Sequence, residues 1–184
     1  LVHASSSTLI SNFDTVLGFG AHLILVTFPT RRSSDLIHSE FARQTEQEII
    51  YTAELVEPGQ VATFIKQFHS NGGRGLNITV PFKEDAFKLA THLSKRARRA
   101  GAVNTLLIND PEHYFGDTTD GVGLCTDLIQ NHKIILKEKN ILILGAGGAV
   151  RGVLEPLLEN RPGHLVIANR TVEKAYQLAK DFSD

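Results

Sequence analysis

The stretch NILILGAGGAVRG, Asn140 to Gly152, decides the fold. Its aliphatic residues 141–144 are typical of a strand buried on both faces, as in a parallel sheet. A glycine-rich turn follows directly, and a helical pattern covers residues 153–158. A strand, a glycine turn and a helix in this order are the context that a dinucleotide-binding fingerprint requires.

The glycines of this turn have separate roles in the prediction. Gly145 permits a tight turn, and Gly147 lets the backbone approach a pyrophosphate, whose charge the following helix N-terminus favours. The third glycine of G-x-G-x-x-G would fall at Val150, so the match is partial and a turn without a ligand is the alternative. The candidate cofactor-binding residues here are Gly145, Ala146, Gly147, Gly148 and Ala149.

The next predicted strand, residues 164–168, indicates which nucleotide binds. An NAD site expects an acidic residue near the end of this strand, to hold the ribose 2′-hydroxyl. Here Asn169, Arg170 and Thr171 follow the strand, and Lys174 lies one helical turn further on. Because guanidinium groups bind phosphate through paired hydrogen bonds, the two cations favour NADP. The alternative is a solvated helix start without a ligand.

Composition excludes several classes of protein. The 184 residues are 42% hydrophobic and 21% charged, as in an ordinary soluble domain or pair of domains. A net charge of −1 gives no basic surface for nucleic acid. No apolar run approaches the roughly 18 residues of a membrane span, and the histidines show no metal-ligand spacing. The single cysteine, Cys125, fits a reducing compartment, and we interpret it as a buried filler.

Strands and helices alternate along most of the chain. The order indicates an α/β protein with largely parallel sheets, divided into two lobes with a cleft between them. The predicted elements before the glycine turn are a strand at 23–28, a loop at 31–35, a helix at 36–47, a strand at 48–56, a helix from Pro58, a strand at 74–80, a helix from Pro81, strands at 102–108 and 114–115, and a helix at 120–131.

The first lobe carries candidate chemistry. Asn77 and Thr79 are two residues apart on a predicted strand and suit a polyhydroxylated ligand. Lys83 lies in the first turn of a helix, where the helix dipole disfavours its charged form and could favour proton exchange. On spacing alone, a solvated lysine and a helix-capping Asp120 are the simpler interpretations. The basic cluster Lys95, Arg96, Arg98 and Arg99 is interpreted as a solvated face.

Five short sequence motifs, in a fixed order along the chain, point to a protein family. They are NITVPFK at 77–83, AGAVNT at 100–105, GDTTDG at 116–121, GAGGA at 145–149 and NRT at 169–171. Together they resemble the shikimate dehydrogenase family, over about residues 36–184. The resemblance implies NADPH-dependent, reversible reduction of 3-dehydroshikimate to shikimate in aromatic amino acid (chorismate) biosynthesis, in the cytoplasm. It also implies an N-terminal α/β substrate lobe and a Rossmann-like NADP-binding lobe.

The resemblance assigns roles by motif. Lys83 and Asp120 resemble the catalytic pair of the family, with Lys83 as general acid and base and Asp120 as its charge partner. Asn77, Thr79 and Asn104 resemble residues that bind the substrate hydroxyls. Asn169, Arg170, Thr171 and Lys174 lie where the family holds the 2′-phosphate of NADP.

The sequence departs from the family near both ends. Ser34 aligns with one of two serines that bind the substrate carboxylate, but Arg32 replaces the other. Residues 1–31 show no such resemblance, and the nucleotide lobe stops after its second helix. We therefore assign residues 1–119 to a substrate domain and 120–184 to the first half of a Rossmann domain, and we expect weak activity from this chain. The alternatives are an NAD-using quinate/shikimate dehydrogenase and a non-catalytic nucleotide-binding fragment; a monomer and a homodimer both stay open.

Overall fold

A computed structural model describes residues 21–26 and 33–183, and the side chains of residues 36–183. In these ranges strands alternate with helices, as predicted for an α/β protein. The strands are β1 (Ala21–Val26), β2 (Ile49–Glu54), β3 (Gly73–Ile78), β4 (His92–Leu93), β5 (Thr105–Ile108), β6 (Tyr114–Asp117), β7 (Asn140–Leu144) and β8 (His164–Ala168). The helices are α1 (Ser33–Gln44), α2 (Val61–Ser70), α3 (Lys83–Leu89), α4 (Lys95–Ala100), α5 (Asp120–Thr126), α6 (Gly148–Glu159) and α7 (Val172–Asp181), with a π-helical turn at Asp127–Asn131.

The larger sheet has the strand order β2-β1-β3-β5-β6-β4. Strand β1 is parallel to both β2 and β3, whereas β5 is antiparallel to both β3 and β6. The prediction of largely parallel sheets is therefore wrong for β5. A short turn joins β5 to β6, and Asp110 Oδ1 accepts hydrogen bonds there from the backbone N–H groups of Glu112 and His113. Strands joined by so short a connection can only pair antiparallel.

The core of this lobe forms between the sheet and its helices. One face of α2 is buried, since Val61, Ile65 and Phe68 belong to the same core as Leu76 and Leu106. The proline boundaries were wrong by two or three residues. Pro58 belongs to a turn, closed by Gln60 N–H donating to Glu57 O at 3.0 Å, and α2 begins at Val61. Pro81 likewise precedes α3, which begins at Lys83.

Two further element predictions need correction. Helix α1 begins at Ser33, inside the predicted loop at 31–35, whose first two residues lie outside the described ranges. The predicted helix at 120–131 divides into α5 and the π-helical turn Asp127–Asn131. Cys125 is buried as predicted, and burial together with the nearby Glu159 raises the pKa of its thiol.

The smaller sheet is the parallel pair β7 and β8, at the predicted positions. Helices α6 and α7 cover one face, where Leu154, Leu178 and Phe182 form a core. The other face is open: Leu142 and Leu144 are 63% and 78% exposed. The prediction that β7 is buried on both faces is therefore wrong for this chain. The division into domains at residue 119/120 stays a prediction.

The side chains described by the structure hold no group of three His, Cys, Asp or Glu residues arranged for a metal ion. None of the helices in the described ranges is long and apolar enough to cross a membrane.

Candidate active site

Lys83 and Asp120, predicted as a pair from separate motifs, meet in the fold. Lys83 begins α3 and Asp120 begins α5, and Lys83 Nζ donates to Asp120 Oδ2 at 2.5 Å. Their side chains are 12% and 30% exposed. An ammonium group held by a carboxylate at the edge of solvent can transfer a proton to a bound oxygen atom.

Asn104 fixes the second oxygen of this carboxylate. Its Nδ2 donates to Asp120 Oδ1 at 2.7 Å and to Thr119 Oγ1 at 3.0 Å. Its Oδ1 accepts from Thr119 N–H at 3.1 Å and from Thr105 Oγ1 at 2.9 Å. Both N–H groups of the amide therefore already have partners within the protein, and the carboxylate is held on two sides.

Backbone hydrogen bonds hold the segments of this site together. Val103 N–H donates to Lys83 O at 2.9 Å, and Ile78 N–H donates to Asn104 O at 2.7 Å. Asn104 N–H in turn donates to Asp117 O at 3.0 Å. Lys83 and Asn104 therefore occupy fixed positions at the ends of β3, β5 and β6.

The predicted ligand-binding side chains of β3 lie partly outside the strand. Asn77 is within β3, but the strand ends at Ile78, so Thr79 lies in the following turn. Tyr51 Oη, on β2, donates to Asn77 Oδ1 at 3.2 Å, and His38 stacks on Tyr51 with ring centroids 3.9 Å apart. Tyr51 and His38 were not predicted from sequence, because only the fold brings side chains of β2 and α1 towards Asn77 on β3.

Ser34 lies within α1, but its side chain is outside the described part of the chain. Its role at the substrate carboxylate stays a prediction.

The glycine turn has the backbone that its sequence predicts. Gly145 has a φ of +119°, and its N–H donates to Ala168 O at 2.7 Å, which ties the turn to the end of β8. Gly147 is the extended residue before α6, and a Cβ placed on it would meet no described heavy atom within 4 Å. The first N–H groups of an α-helix have no partner within it, so this turn fits a pyrophosphate.

The residues predicted to bind a 2′-phosphate follow β8 directly. Asn169 Nδ2 donates to Thr171 O at 2.7 Å, which shapes the turn into α7. Arg170 and Lys174 are both exposed. Both cations are therefore in solvent, and they follow Ala168, the end of β8 to which the glycine turn is hydrogen-bonded.

An ion pair that the sequence analysis missed lies beside the site. Arg96 donates to both carboxylate oxygens of Asp117, at 2.7 and 2.5 Å, and Ser94 Oγ donates at 2.6 Å. Burial acts to raise the pKa of Asp117, but the bonds from Arg96 and Ser94 outweigh it and lower the pKa. Arg99 pairs with Glu155 at 3.1 Å. The prediction of a solvated basic face is therefore wrong for Arg96 and Arg99.

Two family models match this chain. Residues 25–106 match the shikimate dehydrogenase substrate binding domain, and residues 127–184 match shikimate / quinate 5-dehydrogenase. The chain belongs to the shikimate dehydrogenase family. The first match begins before residue 36, where the resemblance found by motif starts.

Curated relatives in this family are closely similar. Shikimate dehydrogenase (NADP(+)) of Vibrio atlanticus is 53% identical over 150 residues, which are 82% of this chain and 54% of the relative. The enzyme of the same name from Aeromonas salmonicida is 54% identical over 159 residues, 85% of this chain and 57% of the relative. The chain thus spans about half the length of these shikimate dehydrogenase relatives.

A solved member of the family has the same fold. Shikimate 5-dehydrogenase from Thermus thermophilus, in complex with NADP(H) and shikimate, superimposes with a TM-score of 0.77 at 32% identity, covering 89% of this chain and 61% of that chain. The solved relatives have a Rossmann-like fold, which confirms the predicted fold class.

Proposed function

We propose that this shikimate dehydrogenase chain carries the machinery for NADPH-dependent, reversible reduction of 3-dehydroshikimate to shikimate. The observation that carries the proposal is the 2.5 Å contact between Lys83 and Asp120, with the N-terminal turn of α6 beside it. The curated relatives bear the name of this NADP-dependent enzyme, which supports both the reaction and the cofactor.

Lys83 would handle the proton of the reaction. Bound NADPH supplies the hydride that reduces the substrate carbonyl carbon. Lys83 Nζ would donate a proton to the oxygen of that carbonyl, and would take it back from the hydroxyl during shikimate oxidation. Asp120 balances the ammonium charge and keeps Nζ in one position.

We propose two roles for the neutral side chains of the site, namely binding the substrate and orienting Asp120. Asn77 and Thr79 would bind substrate hydroxyls, with Tyr51 fixing the amide of Asn77. The resemblance assigns Asn104 to substrate as well. Because both of its N–H groups are already bonded to Thr119 and Asp120, we propose that Asn104 orients Asp120 in addition.

The cofactor would be held by the glycine turn and the loop after β8. The backbone from Gly145 to Ala149 would bind the pyrophosphate, and Gly147 leaves the space for it. Arg170 and Lys174, with Asn169 and Thr171, would bind the 2′-phosphate. We propose the cytoplasm as the location, because the single cysteine is a buried thiol, and a small-molecule substrate as the partner.

Shikimate oxidation, followed as the rise in NADPH absorbance, tests the reaction. We expect Lys83→Ala to lower kcat by about 10²–10⁴-fold, the usual contribution of a general acid and base. Lys88→Ala is the matched control, since Lys88 is exposed on the same helix and bonds only to Asp85 in the described contacts. Full activity of Lys83→Ala would rule out the proposed role; no activity in the parent chain would favour the non-catalytic fragment.

Cofactor preference separates NADP from NAD enzymes of the family. We expect Arg170→Ala to raise the KM for NADP by about 10-fold or more while leaving that for NAD unchanged, because only NADP carries the 2′-phosphate. Steady-state kinetics with each cofactor measure this ratio. Lys180→Ala, on α7 away from the turn, controls for a general loss of positive charge. An unchanged preference would favour the NAD-using alternative.

A further inference from the structure

The face of α6 that follows the glycine turn lies against the Lys83–Asp120 pair. A Cβ at Gly148 would lie 3.8 Å from Cβ of Lys83, and a Cβ at Gly152 would lie 3.5 Å from Oδ2 of Asp120. This Oδ2 is the oxygen that accepts from Lys83. Because residues 148 and 152 are one helical turn apart, a single face of α6 contacts both members of the pair.

Gly152 is enclosed by the segment that carries Asp120. A Cβ on Gly152 would lie 3.1 Å from Oγ1 of Thr118, a residue that is 3% exposed. That hydroxyl has no hydrogen-bond partner in the described part of the chain. On the other side, a Cβ on Gly121 would lie 2.5 Å from the carbonyl oxygen of Gly152. A side chain at residue 152 must therefore push on Thr118, two residues before Asp120, while it would meet Oδ2 of Asp120 itself at ordinary van der Waals distance.

We propose that Gly152 is a positioning residue, whose missing side chain lets α6 sit close enough to hold the Asp120 carboxylate on Lys83. The helix that begins at the nucleotide turn thereby sets the geometry of the proton-transferring pair. The inference rests on the proposed function for the role of the pair. The coupling between α6 and Asp120 is a property of the folded chain and is measurable without cofactor.

Gly152→Ala tests the coupling. Alanine is favoured over glycine within a helix by about 1 kcal/mol, so we expect the fold to be kept. We expect the added methyl group to displace Thr118 and, with it, the segment that carries Asp120, which loosens the hold of the carboxylate on the amine of Lys83. We expect an amine-specific reagent to label Lys83 several-fold faster relative to Lys88, an exposed lysine on the same helix. Mass spectrometry of the labelled peptides measures the ratio, and a cooperative melting transition verifies folding.

Two variants serve as controls. Glu159→Ala changes an exposed residue at the end of α6 and should leave the labelling ratio as in the parent chain. Thr118→Ala makes room for the methyl group of the Gly152→Ala change. The double variant should therefore return the ratio to that of Thr118→Ala alone, which a general loosening of the fold would not do.

The outcomes separate this inference from the proposed function. If Gly152→Ala folds and has the labelling ratio of the parent chain, the coupling is overturned. A ratio in the double variant that exceeds that of Thr118→Ala alone also overturns it. If Gly152→Ala does not fold, the comparison of the double variant with Thr118→Ala is the deciding one. In shikimate oxidation we expect Gly152→Ala to lower kcat several-fold with little change in the KM for shikimate. If Gly152→Ala changes the labelling ratio but the parent chain does not oxidise shikimate at all, the proposed function is overturned and the coupling is still supported.

Discussion

At Asp117, burial and ion pairing act in opposite directions on one carboxyl group. The hydrogen bonds from Arg96 and Ser94 prevail over burial, so the pKa lies below the ordinary value of 3.8. A carboxyl group with a lowered pKa in the folded state stabilises the fold above its unfolded pKa. That contribution is lost as the pH falls through the folded pKa.

We expect Asp117→Asn to lower the free energy of unfolding by about 1–3 kcal/mol near neutral pH, because Arg96 loses its charged partner. The difference from the parent chain should begin to shrink near pH 4, where the carboxyl of the unfolded chain takes up a proton, and should vanish as the pH falls through the lower pKa of the folded state. Urea unfolding at several pH values measures both. Asp85→Asn, at an exposed i,i+3 pair, is the control and should have little effect. A difference that is independent of pH would contradict this account.

Residue-scale predictions from sequence succeeded where a motif carried the information. Lys83 and Asp120 are 37 residues apart, yet both belong to family motifs and meet as predicted. Arg96 was misinterpreted because its partner Asp117 is 21 residues away and outside any helical spacing. Tyr51, which bonds Asn77 from another strand, gave no local signal for the same reason. The roles of these residues in binding and catalysis stay predictions.

Helices α5 and α6 approach each other closely where Gly121 meets Gly152. Pro156 has no N–H, so the carbonyl oxygen of Gly152, four residues earlier, lacks its usual helical donor. Gly121 packs against that oxygen, and a Cβ there would lie 2.5 Å from it. Because the atom in the way is backbone, the helices themselves would have to separate.

We therefore expect Gly121→Ala to lower the free energy of unfolding by about 1–3 kcal/mol, as overpacking does, despite the better helix propensity of alanine. Thermal and urea unfolding measure the loss. Val122→Ala, at the neighbouring position of α5, removes atoms instead of adding them and separates helix propensity from overpacking. An unchanged or raised stability of Gly121→Ala would show that the crossing can widen without cost.

At the scale of elements, the sequence predicted a helix close to α2, and runs of aliphatic residues predicted β7 and β8. The boundaries failed at prolines, which are tolerated both in a first helical turn and in the turn before it. At Pro58 the following residue, Gly59, has a positive φ, which is incompatible with a right-handed helix and places the segment in a turn. The direction of β5 also depended on a turn, whose Asp110 side chain caps two backbone N–H groups.

The two sheets in the described part of the chain differ in how well they are covered. The six-stranded sheet encloses a core that includes Ile65, Leu76 and Leu106, each 0% exposed. The two-stranded sheet is covered on one face only, and Leu142 and Leu144 are exposed on the other. An isolated strand pair is marginal without packing on a helix, so α6 and α7 supply most of its stability. The parallel pairing of β7 and β8 was predictable from sequence, whereas the run of aliphatic residues in β7 did not distinguish its covered face from its open one.

Local stability should follow this difference. We expect the amides of β7 and β8 to exchange with solvent deuterium faster than those of β3 and β5, because they open without unfolding the larger core. Leu154→Ala, in the core under α6, should lose about 2–5 kcal/mol and speed exchange in β7 and β8 only. Leu106→Ala is the matched truncation in the larger core and should speed exchange in β3 and β5. Mass spectrometry of peptides from the two sheets measures the exchange in both variants.

If either truncation speeds exchange equally in both sheets, the two lobes unfold as one unit. The contacts of α6 with α4 and α5 would then couple the lobes strongly, in spite of the open face of β7.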